Sequence, residues 1–233
     1  FYLSRIIRRP TLWGKPISLS IEPTTSSNLR CPECPSGLRS FTRNTGMLNL
    51  VLYEQVLKEQ AKTLSYLLLY FQGEPYLNTD FLKMIKLASD YNIFTATSTN
   101  AHYLDDVNAK ATVESGLDKL IISIDGTTQE TYEQYRIGGT LNKVLDGTKN
   151  ISKWKKALNS NSPLVVFQYL VVQPNEHQLD DLKQIADDIG VDHISFKTAQ
   201  IYDFEQGSPL IPKNPHYSRY KLTADGTYQI KNR

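Results

Sequence analysis

Two hydrophobic periods take turns along this chain. Ile17 to Glu22 alternates Ile and Leu with Ser, the period of a strand. Leu48, Leu52 and Val56 then recur every four residues, which predicts a helix. Tyr66 to Phe71 is a continuous apolar run, expected of a strand covered on both faces. Phe81, Met84, Ile85 and Ala88 form a helical stripe, and Ile93 to Asn100 is β-branched and aromatic, a third strand. A short helix over Asp105 to Glu114 ends at Gly116. Leu120 to Asp125 reads as the fourth strand. Thr127 and Glu130 stand at capping-box spacing and open a helix through Tyr135. Another helix follows Gly138-Gly139 and includes Ile151 and Trp154. Leu164 to Val172 is a fifth strand. Leu179, Leu182, Ile185, Ala186 and Ile189 make a helical stripe stopped by Gly190, and His193 to Ile201 is a sixth strand.

Strands joined by helical crossovers must run parallel, so the pattern predicts an α/β fold. A partial, TIM-like (βα)6 barrel with its strands in sequential order is the expected architecture, with a doubly wound sheet the alternative that shares the alternation. Polar residues recur at the strand C-termini: Glu22 and Thr24, Gln72 and Glu74, Asn100, Ser123 and Asp125, Lys197 and Gln200. In parallel α/β layers ligands bind at that edge. Beyond the sixth strand, Pro209, Pro212 and Pro215 break regular structure. Lys221 to Thr223 and Thr227 to Ile230 then flank Ala224-Asp225-Gly226, a hairpin signal. The chain therefore divides into an N-terminal segment 1–16, a core 17–205 and a C-terminal extension 206–233.

Composition narrows the class. At 233 residues, 40% hydrophobic and 21% charged, the chain suits one large globular domain. Its net charge of +2 gives no general case for nucleic acid. Arg5, Arg8 and Arg9 interleave with Tyr2, Leu3, Ile6 and Ile7. They read as a solvated terminal helix, with an anionic membrane surface as the alternative. The longest apolar run, Leu67 to Phe71, is far short of a membrane span, and the first residues lack a signal peptide's apolar core. A cytoplasmic protein is expected. Two cysteines cannot staple a fold of this size, so Cys31 and Cys34 read as metal-binding or dithiol redox residues.

The strand ends carry further chemistry. The carboxylate of Glu74 can accept from an ammonium, Arg136 can clamp a carboxylate, and Ser123 suits a ribose or carboxylate oxygen. The bland alternatives are a helix cap for Glu74, a strand-end turn for Ser123 and Asp125, and pairing of Arg136 with Glu130 or Glu133 on its own helix. Arg39 and Arg43 read as solvated. His102, beyond the third strand, is the one histidine placed to meet a substrate, although packing accounts for it equally simply.

These segments together resemble the radical S-adenosylmethionine (radical SAM) enzymes. Ser27-Asn28-Leu29-Arg30-Cys31-Pro32-Glu33-Cys34 is similar to the family's C-x3-C-x2-C loop, with Ser27 at the first cysteine position and Glu33 where an aromatic residue is frequent. Gln72-Gly73-Glu74-Pro75 resembles the GGE-type motif that holds the methionine amine. Thr97-Ser98-Thr99-Asn100 resembles T-N-G at the third strand's end, with Ala101 at the glycine position. Ser123-Ile124-Asp125-Gly126 resembles S-x-D-G. Tyr132 to Gly139 resembles Y-x-x-x-R-x-G-G, whose arginine, here Arg136, pairs with the SAM carboxylate. The likeness spans residues 17 to 201.

The resemblance implies a 4Fe–4S cluster held by three thiolates, with SAM on the fourth iron. Here Cys31 and Cys34 would be metal ligands and Ser27 the position of the missing third. Gln72, Gly73, Glu74, Asn100, Ser123 and Arg136 would bind SAM. In an intact version, SAM is cleaved reductively to a 5′-deoxyadenosyl radical that abstracts hydrogen from a substrate. The version of the pattern is similar to the SPASM subfamily, which implies a peptide or protein substrate, a flavodoxin or ferredoxin as electron donor, and a cysteine-rich C-terminal extension. That extension's cysteines are absent here, since none follows Cys34. A serine hydroxyl replaces a thiolate poorly, so this chain is expected to be cluster-deficient. The alternatives are a non-catalytic SAM-binding or scaffold protein of the same descent, and a C-x-x-C dithiol oxidoreductase. No residue is assigned a catalytic role.

Overall fold

Six parallel strands pair in the order of the chain. The computed structural model describes residues 2–11 and 14–231. The strands are β1 (Ser18–Ser20), β2 (Tyr66–Leu68), β3 (Phe94–Thr99), β4 (Lys119–Ser123), β5 (Leu164–Val171) and β6 (His193–Thr198). Each pairs only with its neighbours in sequence, in the order β1-β2-β3-β4-β5-β6. No reversal of strand order interrupts the sheet, so the doubly wound alternative is excluded in favour of the open half-barrel. Right-handed crossovers then put every connecting helix on one face of the sheet.

The alternation within each strand separates that face from the other. Leu120 and Ile122 of β4, with Val165, Phe167, Tyr169 and Val171 of β5, enter the main core. There they meet Met84 and Ile85 of α4 (Phe81–Asp90), Ala109 and Val113 of α5 (Asp106–Glu114), Val144 and Ile151 of α7 (Leu141–Ala157), and Leu182 and Ala186 of α8 (Leu179–Ile189). The intervening residues Ser98, Ser123, Gln168 and Leu170 line a cavity on the inner face, at the strands' C-terminal end.

Two local details differ from the sequence pattern. Helix α3 spans Leu50–Gln60 and buries Tyr53 and Leu57, whereas Leu52 is exposed. Asn49 caps the start of the helix, its side chain accepting from the N–H groups of Val51 and Leu52, and the buried face runs through Tyr53 and Leu57 instead of Leu52 and Val56. Helix α6 (Gln129–Tyr135) is capped by Thr128 rather than Thr127. The N–H of Thr127 donates to Gln178 Oε1 at 2.9 Å, which leaves Thr128 to accept from the Thr131 N–H.

Two short helices flank this core. Helix α1 (Tyr2–Ile7) buries none of its residues. Helix α2 (Pro35–Leu38) follows the cysteine loop. The hairpin of β7 (Tyr220–Leu222) and β8 (Tyr228–Ile230) forms a separate two-stranded sheet. It packs back on the mouth of the half-barrel. Tyr220 is buried in a second apolar cluster with Leu29, Cys31, Tyr135, Ile201 and Ile211. Its hydroxyl donates to the Ile201 carbonyl at 3.1 Å and accepts the Ile201 N–H at 2.7 Å. No helix among the described residues is long and apolar enough to cross a membrane.

Candidate cofactor-binding site

The loop after β1 folds over the cavity through its own backbone. The Cys34 N–H donates to the Cys31 carbonyl at 3.3 Å, and the Arg30 N–H reaches the Ile137 carbonyl at 2.9 Å. A Cβ on Gly37 would lie 2.4 Å from the Cys31 carbonyl oxygen, so only glycine lets α2 lie against the loop. Ser27, Cys31 and Cys34 all line the cavity. The Ser27 hydroxyl accepts the Leu29 N–H at 3.2 Å, a local turn contact. Both cysteines are free thiols. Burial raises the Cys31 pKa above its ordinary value, against the opposing pull of the Arg136 guanidinium. Cys31 therefore remains a protonated thiol until a metal displaces its proton.

Glu74 ends the loop after β2 and is 3% exposed. Its Oε1 accepts the Thr99 hydroxyl at 2.7 Å and the Tyr76 N–H at 3.3 Å, and its Oε2 accepts the Asn100 N–H at 2.8 Å. It thus caps the 3-10 turn Pro75–Leu77 while lining the cavity. Desolvation pushes its pKa up to about 7, despite these three donors.

Arg136 closes helix α6 and reaches across to Asp125, not to Glu130 or Glu133. Its Nε donates to Asp125 Oδ2 at 2.5 Å, and one Nη approaches the Cys31 sulfur at 3.7 Å. Asp125 is fully buried, and its Oδ1 accepts the Leu170 N–H at 2.7 Å. With Nε on Asp125, the guanidinium presents its Nη end to the cavity. Asp125 is more than the strand-end turn residue that an Asp-Gly pair suggests. It is the buried counter-charge of the site's arginine, and an Asp-Gly pair carries no signal of that.

The remaining residues divide. Gln72, Gly73, Asn100 and Ser123 line the same cavity. The Asn100 side chain is itself held, donating to Asn28 Oδ1 at 2.7 Å and accepting the His102 N–H at 3.1 Å. His102 lies outside the cavity lining. Its Nε2 accepts the Thr140 N–H at 2.8 Å and its Nδ1 faces the Asn100 carbonyl at 2.9 Å, so it ties two loops together. Lys197 and Gln200 are exposed and stand apart from the cavity, because β6 is an open edge of the sheet. Arg43 is not simply solvated: it pairs with Glu22 at 2.6 Å.

An open half-barrel of sequential parallel strands, with a thiol-bearing loop over the C-terminal edge, is the architecture of an S-adenosylmethionine-dependent iron–sulfur enzyme. The chain belongs to the Radical SAM superfamily, whose family model matches residues 21–189. It is 28% identical over 194 residues to a PqqA peptide cyclase of Bradyrhizobium diazoefficiens, covering 82% of this chain and 48% of that protein. Among solved structures it resembles Streptococcus suis SuiB bound to S-adenosylmethionine, with TM-score 0.68 and 14% identity, over 85% of this chain and 44% of that one. It also resembles native anSMEcpe with bound AdoMet and Cp18Cys peptide, with TM-score 0.64 and 20% identity, over 88% and 55% of the two chains. These likenesses establish the fold. The chain spans about half the length of the curated relatives it matches.

The family uses a 4Fe–4S cluster and SAM. The donor set here does not fit the cluster. Two thiols line the cavity, Ser27 stands third, and among the described residues no group of three His, Cys, Asp or Glu could hold a metal ion. For SAM the donors do fit: a carboxylate at Glu74, a hydroxyl at Ser123 and a guanidinium at Arg136 converge on one cavity.

Proposed function

We propose that this chain is the core of a radical SAM enzyme of the SPASM type that modifies a peptide or protein, and that Ser27 leaves this exact sequence without a stable cluster. On this reading residues 17–205 form the core and 206–233 a C-terminal extension that packs on it. SAM lies in the cavity, with its ammonium toward Glu74 and the Gln72-Gly73 backbone. Its carboxylate lies toward Arg136 and its ribose toward Ser123. Cys31 and Cys34 are the surviving metal ligands. The observation that carries the reading is the meeting of Glu74, Ser123, Arg136 and both thiols in one cavity. A peptide substrate is supported by the PqqA peptide cyclase and by the peptide-bound fold neighbour. A cytoplasmic setting and a flavodoxin- or ferredoxin-type electron donor go with the version carrying three thiolates.

The residues' own part is binding and orientation. Losing one charge-assisted hydrogen bond in a desolvated site costs about 1.5–3 kcal/mol, roughly ten- to hundredfold in affinity. Calorimetry with SAM on reconstituted Ser27→Cys protein should show that drop on Glu74→Ala. An unchanged affinity contradicts the site.

The pH dependence has a definite sign. A carboxyl whose pKa is raised to about 7 is neutral below that pH and cannot pair with an ammonium. SAM affinity should therefore rise as pH increases through about 7, until the ligand's own ammonium begins to lose its proton. A flat profile from pH 6 to 8.5 contradicts Glu74 as the ammonium's partner.

Ser27 itself favours a second reading, a non-catalytic SAM-binding or scaffold protein of the same descent. Sequencing the natural gene separates the two, since a cysteine codon at position 27 marks this chain as a knockout of an enzyme. The dithiol oxidoreductase reading fares worse, because redox-active thiols need a lowered pKa and that of Cys31 is raised.

A further inference from the structure

Glu22 follows β1 and sits behind the Gln72-Gly73 backbone. Its Oε1 accepts the N–H of Gln72 at 3.0 Å and the N–H of Gly73 at 3.3 Å, while Oε2 holds Arg43. The side chain is 13% exposed, against 51% for Arg43. In a trans peptide the N–H and the preceding carbonyl point in opposite directions. With the Gly73 N–H turned to Glu22, the Gln72 carbonyl must face the other way, and it lies 4.0 Å from the Cys34 sulfur at the cavity.

Gly73 packs so closely on the β1 loop that a Cβ there would lie 1.9 Å from the Thr24 carbonyl oxygen. Only glycine allows that approach, and the Glu22 carboxylate receives the N–H on its other side. The Glu74 N–H is fixed separately, to the Ser26 carbonyl at 2.8 Å.

We infer that Glu22 is a positioning residue for ammonium binding: it fixes the 72–73 peptide so that the Gln72 carbonyl, beside the Glu74 carboxylate, accepts from the ligand's amino group. Arg43 holds the Glu22 side chain in place from the outside. The inference rests on the proposed SAM site and deepens it, because it separates recognition of the amino-acid end from recognition of the nucleoside.

The test uses two ligands on reconstituted Ser27→Cys protein: S-adenosylhomocysteine, which carries the ammonium, and 5′-methylthioadenosine, which lacks the amino-acid end. Glu22→Ala should weaken S-adenosylhomocysteine about tenfold, the loss of one charged acceptor's control, and leave 5′-methylthioadenosine within about twofold. Glu22→Gln, which keeps an acceptor oxygen for the two N–H groups, should recover most of the loss. Equal weakening of both ligands, or no weakening of either, overturns the inference. Glu74→Ala is measured alongside. If Glu74→Ala leaves S-adenosylhomocysteine binding unchanged, the SAM site itself is wrong; if Glu74→Ala weakens it and Glu22→Ala does not, only the role of Glu22 fails.

Discussion

Asp125→Ala should destabilise this protein by about 2–4 kcal/mol, because it leaves a largely buried guanidinium without its counter-charge and a buried N–H without its acceptor. Asp125 is fully buried and holds Arg136 through Oδ2 and the Leu170 N–H through Oδ1. Truncation leaves the buried Leu170 N–H without an acceptor and the Arg136 guanidinium, 17% exposed at the cavity, without its counter-charge. For a domain of this size the loss corresponds to a fall in melting temperature of roughly 4–16 °C. Asp125→Asn keeps an acceptor for Leu170 but removes the charge, so it should fall between. Glu130→Ala and Glu133→Ala remove the carboxylates on the arginine's own helix and should stay within about 0.5 kcal/mol. Denaturant unfolding of the four variants decides it. A loss for Asp125→Ala no larger than for Glu133→Ala would mean that the pair carries no weight in the fold.

Ser27→Cys should have the largest effect of any single change on cofactor content. The third donor decides whether a 4Fe–4S cluster is held at three corners or left to solvent and oxidation. Serine keeps its proton at neutral pH, whereas a thiol can release one to the metal. Cys31 sits beside Arg136, which favours its thiolate, although burial outweighs that in the metal-free chain. The cysteine variant should therefore take up iron and sulfide more completely as pH rises, since each ligand must lose a proton. Uptake independent of pH would contradict thiolate ligation.

Much of the scaffold was legible because the two hydrophobic periods differ so clearly. The run Leu164 to Val172 and the stripe from Leu179 to Ile189 each became one element. The sequential strand order expected of a partial barrel is the order the sheet has; the alternation alone is shared with a doubly wound sheet, and pairing in space separates the two. Phase was weakest where apolar residues are dense, as from Leu48 to Leu57, where two four-residue stripes coexist and the core takes Tyr53 and Leu57. The cavity's residues came from strand-end polarity and motif resemblance. Lys197 shared that polarity but lies on the open edge. The Asp125–Arg136 and Glu22–Arg43 pairs were invisible because their partners stand 11 and 21 residues apart and meet only through the fold.

Iron and acid-labile sulfide, counted after anaerobic reconstitution of the unsubstituted chain and of Ser27→Cys side by side, test the central claim most directly. The account predicts close to four irons and four sulfides per chain in the cysteine variant and little of either in the serine chain. Equal, full occupancy in both proteins would contradict it, since position 27 would then have no part in holding the cluster.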